Sequence, residues 1–186
     1  MTESRFQIVL LLHDLGDNPY GQVEELRRIL AETHPNVIFV HPPVSEDFNS
    51  LMAFLTLFQP NSLVVGLGLG GLFASVMQER FPYLNLSVFA VNPPMEYERD
   101  GASGERVSVG ESTGQRIVLY SSQYEPLRGE QPEQWSKYCD LVFDVPWLSE
   151  GVQKAFYSTS YLISAFMRGR NMPKEVASVG TAKEEV

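Results

Sequence analysis

Residues 61–80, NSLVVGLGLGGLFASVMQER, carry a short apolar strand into a helix through the glycine-rich run GLGLGG at positions 66–71. The strand reads as 62–65 and the helix as about Leu69 to Arg80. The run satisfies G-x-G-x-x-G through Gly66, Gly68 and Gly71. A dinucleotide fingerprint opens the first βαβ unit, and an acidic residue follows about 20 positions later at the end of the next strand. Here the motif follows a third strand, and the next one ends in Val91-Asn92-Pro93. Both context tests fail, so nucleotide binding is the third-ranked reading.

Outward from that turn, strands and helices alternate. Phe6 to Leu12 (FQIVLLL) is a nearly continuous apolar run, the pattern of a strand buried on both faces. Val23, Leu26, Ile29 and Leu30 recur at helical spacing within about 20–33. A strand at 37–40 stops at His41-Pro42-Pro43, and Ser45 is placed to cap a helix reaching about Phe58. Further strands are expected at 86–91, 116–120 and 141–145, with helices at about 130–137 and 150–167. Residues 95–115 read as a loop or cap-like insertion and 171–186 as a flexible tail, leaving one domain over 1–170. Such alternation implies an α/β fold: a doubly wound, mostly parallel six-stranded sheet with helices on both faces. The aromatics Phe54, Phe58, Phe156, Tyr157, Tyr161 and Phe166 fall at helical spacings that suggest core.

Composition narrows the function classes. The 186 residues, 44% of them apolar, suffice for one core. A net charge of −9, from 23 acids and 14 bases, disfavours nucleic acid and anionic membranes. No apolar run reaches the roughly 20 residues of a membrane span. The opening Met1-Thr2-Glu3-Ser4-Arg5 does not read as a signal peptide, so a cytoplasmic location is expected. The single cysteine, Cys139, forms no internal disulfide and suggests an inert thiol.

The glycine run also fits a sharp strand-to-helix elbow, G-x-S-x-G, with Gly68 at the serine position and Gly66 and Gly70 at the small-residue positions. With that match the sequence resembles the α/β-hydrolases, in particular small esterases and thioesterases, over most of its first 168 residues. LLHDLGDNP at 11–19 is similar to the segment that ends a core strand and supplies an oxyanion-hole amide. The resemblance assigns that amide to Leu15 and a second to Leu69. SSQYEPL at 121–127 is similar to the segment bearing the family's acid and places Glu125 there. VPWLSE at 145–150 stands where the family has its histidine.

The departures from that pattern bear on activity. Gly68 has no side chain, Leu148 or Ser149 occupies the histidine position, and no histidine follows His41. Asp14 replaces the glycine of the family's His-Gly pair. A serine needs a base to become a nucleophile, so loss of both groups removes the covalent route and leaves vestigial positions at Gly68, Glu125 and Leu148. The expected protein is therefore a pseudo-hydrolase, with His13, Asp14, Leu15 and Leu69 around an oxyanion-like cleft. His41, Asn92, Ser121, Ser122 and Trp147 form a candidate binding rim for a protein partner or a small apolar ligand. The alternative is a weak hydrolase using Glu125 or Asp14 on water, or a metal at His13 and His41. Their irregular spacing argues against a metal, and no cofactor is expected. Asp14 and Asp17 also read as turn or capping residues.

Overall fold

In the computed structural model, residues 3–15, 19–99, 106–127 and 132–170 are described. Asp17 and the expected tail at 171–186 lie outside them. Six strands form one sheet: β1 (Ile8–Leu12), β2 (Ile38–Val40), β3 (Leu63–Leu67), β4 (Ser87–Val91), β7 (Arg116–Tyr120) and β8 (Leu141–Asp144). Their order is β2-β1-β3-β4-β7-β8, and every pairing is parallel. Two further strands, β5 (Glu96–Glu98) and β6 (Arg106–Ser108), form a separate antiparallel pair.

Helices cover both faces, which is why the central strands are apolar at nearly every position beyond their first residues. Val9 and Leu11 of β1 face a cluster that includes Val23, Leu26 and Leu30 of α1 (Pro19–Thr33) and Leu162 and Ile163 of α5 (Phe156–Met167). Leu10 and Leu12 face the other way, toward Phe48 and Leu51 of α2 (Phe48–Leu51) and Leu72 and Phe73 of α3 (Leu69–Arg80). Trp135, at the end of α4 (Pro132–Trp135), fills the same second layer. Each fully buried Leu, Val or Phe contributes about 1.5–3 kcal/mol relative to exposure, so both faces hold the sheet. No helix among the described residues is long and apolar enough to cross a membrane.

Several local expectations are corrected. Asp47, not Ser45, caps α2, its carboxylate accepting the Asn49 amide at 3.0 Å. Burial of Phe48 and Leu51 sets the phase of that turn, and the chain continues as a 3-10 helix over Met52–Leu57. The last helix begins only at Phe156, after a 3-10 turn at Val152–Lys154 entered through Gly151 at φ 90°. The region read as a loop contains the β5–β6 pair, whose two-residue alternation turns Val107 inward. Tyr157 and Tyr161, expected in the core, are 65% and 55% exposed. Their four-residue spacing puts them on one outward stripe of α5, where phenol hydroxyls meet water without penalty.

The amino ends of the strands are locked by Arg116, which is fully buried at the start of β7. Its Nε donates to Gln78 Oε1 at 3.0 Å, Nη1 to the carbonyls of Gly110 and Tyr138, and Nη2 to Ser75 O and Glu79 Oε1. Burial pulls its pKa down while the Glu79 carboxylate opposes that effect. At the same end, the buried His34 Nε2 lies 2.8 Å from Ser164 Oγ and joins the end of α1 to α5.

Two stability predictions follow from these contacts. Arg116→Met strands Glu79 and four other acceptors, and urea denaturation should register a loss of about 3–5 kcal/mol, the range for a broken buried pair. Burial, then the nearby Arg168 charge, lowers the His34 pKa from its ordinary 6.5. Below that ordinary value the unfolded chain binds the proton more readily than the folded one. Stability should therefore fall as pH drops below about 6.5, and His34→Gln should flatten the decline between pH 7.5 and 5.5 in denaturant titrations.

Candidate functional site at the carboxyl ends of the strands

The chain lays β2 on one side of β1 and then builds β3 on the other. This reversal opens a crevice between the carboxyl ends of β1 and β3, the place where open parallel sheets bind ligands. Register aligns the ends, with Leu12 beside Gly66 and Leu67 beside Val91. Asp14 therefore leaves β1 directly opposite the turn after β3. Gly68 stands in that turn at φ 53° and ψ −123°, which side-chain-bearing residues adopt only under strain. Gly70 lets the first turn of α3 press onto β1, since a Cβ there would lie 2.4 Å from the Leu12 carbonyl oxygen.

The Asp14 carboxylate fills the mouth of the elbow. Its Oδ1 accepts the backbone N–H of Leu15 and that of Leu69, each at 2.9 Å. The two amides that the resemblance singles out do converge, and the group between them is the protein's own carboxylate. A Cβ on residue 68 would fall 2.1 Å from both Cγ and Oδ2 of Asp14. Asp14 thus occupies the space that any side chain at position 68 would enter. Burial raises the pKa of Asp14, and the amides of Leu69 and Leu15 act against that rise.

Beside the carboxylate lies a crevice of about 120 Å³, bordered by Gln22, Gly68, Asn92, Tyr124, Val152 and Gln153 together with Asp14. Burial, and then the Asp14 charge, raises the pKa of Tyr124, so its phenol keeps its proton more firmly than usual.

The remaining sequence candidates fall into three groups. His13 is buried; its Nε2 accepts the Val44 amide at 2.9 Å, which puts the ring proton on Nδ1, 2.6 Å from the Asp14 carbonyl oxygen. With both nitrogens engaged it offers no lone pair to a metal, and its ring packs against Tyr20 and His41 at centroid separations of 4.7 and 5.4 Å. Burial, then His13, pushes the His41 pKa down. Among the described residues, no group of three or more His, Cys, Asp or Glu side chains is arranged to hold a metal ion.

Asn92 and Ser121, read as rim residues, are buried. Asn92 accepts the Ser121 amide at 3.0 Å and donates to the Leu148 carbonyl at 3.3 Å, tying together the loops that follow β4, β7 and β8. Leu148 is itself fully buried and belongs to the core. Ser122 is exposed, with its amide on Asp144 Oδ1; Glu125 is exposed in a 3-10 turn, and Trp147 packs half-buried on the α1–α5 face. Neither Glu125 nor Trp147 borders the crevice. A phosphate bound at the start of α3 would compete for the Leu69 amide that Asp14 already holds.

Gln22, Tyr124 and Gln153 were not singled out by the sequence. Gln22 and Gln153 lie in segments without a motif, Tyr124 lies in the 121–127 segment beside the position singled out there, and only folding brings the three to one crevice with Asp14.

The close approach of residues 14 and 68 has a measurable consequence. Gly68→Ser should lower stability by more than the roughly 1–3 kcal/mol of backbone strain alone, because it also displaces Asp14. In an Asp14→Gly background the same substitution should cost less, giving a coupling of about 0.5–3 kcal/mol in a four-protein urea series. Strictly additive losses would contradict the contact.

No family model matches the sequence, and a search of curated protein sequences finds no relative. Solved structures do resemble it. Est1E from Butyrivibrio proteoclasticus superimposes with a TM-score of 0.57 at 11% identity, covering 90% of this chain and 88% of that one. A monoacylglycerol lipase from Paleococcus ferrophilus gives 0.52 at 12% identity, covering 91% and 97%. Identities this low establish architecture, not chemistry. The six-stranded sheet, its crossovers and the elbow after β3 are those of the α/β-hydrolase fold.

Proposed function

We propose that this protein retains the α/β-hydrolase fold as a binding module and does not hydrolyse esters through a covalent intermediate. The observation that carries this reading is the Asp14 carboxylate seated on both elbow amides, in the space above Gly68. An acyl-transfer transition state develops negative charge that two such amides would have to stabilise. Here they already serve an anion. Two unit charges about 4 Å apart repel by about 4 kcal/mol at an effective dielectric near 20, roughly a thousandfold in rate. The missing hydroxyl at position 68 and the absence of any histidine beyond His41 act in the same direction.

The walls of the crevice also revise the ligand class. Gln22, Asn92, Tyr124 and Gln153 line it together with Asp14, so a small polar ligand suits the site better than the apolar one expected from the fold resemblance. The competing reading, a slow hydrolase using Asp14 or Glu125 on water, would have to work without free oxyanion donors.

A screen of short-chain acyl esters and thioesters tests the proposal. Purified protein should give rates equal to a heat-denatured control. Turnover that co-elutes with the protein and disappears in Asp14→Asn or Glu125→Gln would establish the hydrolase instead.

A further inference from the structure

We propose that the crevice beside Asp14 binds a small primary ammonium group. This deepens the binding reading given above and rests on it. Asp14 uses only Oδ1 for the two amides, and among the described residues no hydrogen-bond donor reaches Oδ2. Asp14 borders the crevice, and among the described residues no lysine, arginine or histidine lines that space with it. A partly buried anion without a counter-charge favours a cationic guest, because burial raises the cost of leaving it unpaired.

The shape and chemistry of the walls select among cations. About 120 Å³ corresponds to roughly four water volumes, enough for a head group of a few heavy atoms and too little for a ring system with substituents. An ammonium carries three donors and no acceptor. Asp14 Oδ2 offers one acceptor, and Gln22, Tyr124 and Gln153, each of which carries a side-chain oxygen able to accept, line the same space. A divalent metal would ask for more ligating side chains than this one carboxylate. Carboxylate or phosphate guests would meet Asp14 with like charge. The chain's net charge of −9 adds a general attraction for cations. The site thus takes guests of opposite polarity to the oxyanion that the elbow amides would hold if they were free.

Amide-resolved NMR titration decides the matter. The probes are n-propylammonium, a blocked lysine (Nα-acetyl-lysine-N-methylamide), propionate and 1-propanol. Both ammonium probes should shift the Leu15 and Leu69 amides saturably, while propionate and propanol leave them unmoved. Tighter binding of the blocked lysine would identify a protein side chain as the source of the group, and equal binding a free amine; either supports the site. Asp14→Asn keeps the acceptor for both amides and removes the charge, and should weaken ammonium binding about tenfold or more. If that variant unfolds, Gln153→Leu, at an exposed wall position, should still weaken binding several-fold. The proposal is overturned if propionate or propanol binds as well as the ammonium, if no probe binds, or if a folded Asp14→Asn protein binds undiminished. Ester turnover measured on the same sample separates the two questions. Silence toward both amines and esters removes the ligand class alone, whereas turnover removes the binding reading itself.

Discussion

One carboxylate oxygen accepting two backbone amides organises the upper rim of this molecule. Asp14 Oδ1 joins the end of β1 to the first turn of α3, and the neighbouring geometry accommodates that bond. Gly68 can have no side chain because the carboxylate is where its Cβ substituents would go. The carbonyl of Asp14 holds the His13 ring, and that ring in turn holds the Val44 amide at the far side of β2. The two amides and the carboxylate satisfy each other and form a closed structural unit.

The two ends of the sheet are built for different purposes. At the amino ends, Arg116 saturates all its donors with protein acceptors from α3 and from the turns beside β7 and β8. The Arg116 guanidinium is internal and fully matched, which is the condition for a buried charge to be tolerated. At the carboxyl ends, Asn92 ties three loops together, and a crevice beside Asp14 is lined largely by residues with polar side chains. Parallel sheets collect such groups there because every strand delivers its following loop to the same edge.

Much of the architecture was legible in local pattern. Apolar runs such as Ile8–Leu12 and Leu63–Leu67 announce strands buried on both faces, and the glycines at 66–71 announce a close strand-to-helix turn. Short elements were less legible. The β5–β6 strands are three residues each, and α2 takes its phase from the burial of Phe48 and Leu51, not from the serine upstream. Tyr157 and Tyr161 have helical spacing but face water, because the inner stripe of α5 is already filled by Leu162, Ile163 and Phe166.

The sequence by itself determined the alternating α/β order, the glycine-rich strand-to-helix turn with Gly68 at its centre, and the absence of any histidine beyond His41. Each of these is a property of residue identity and spacing. Only the tertiary structure decided that the aspartate after β1 and the glycine after β3 share one space. They are more than fifty residues apart in the chain, and the Asp14–Leu69 bond spans 55 positions. Strand register sets the distance between them, and register arises from the burial of the whole sheet between its two helix layers.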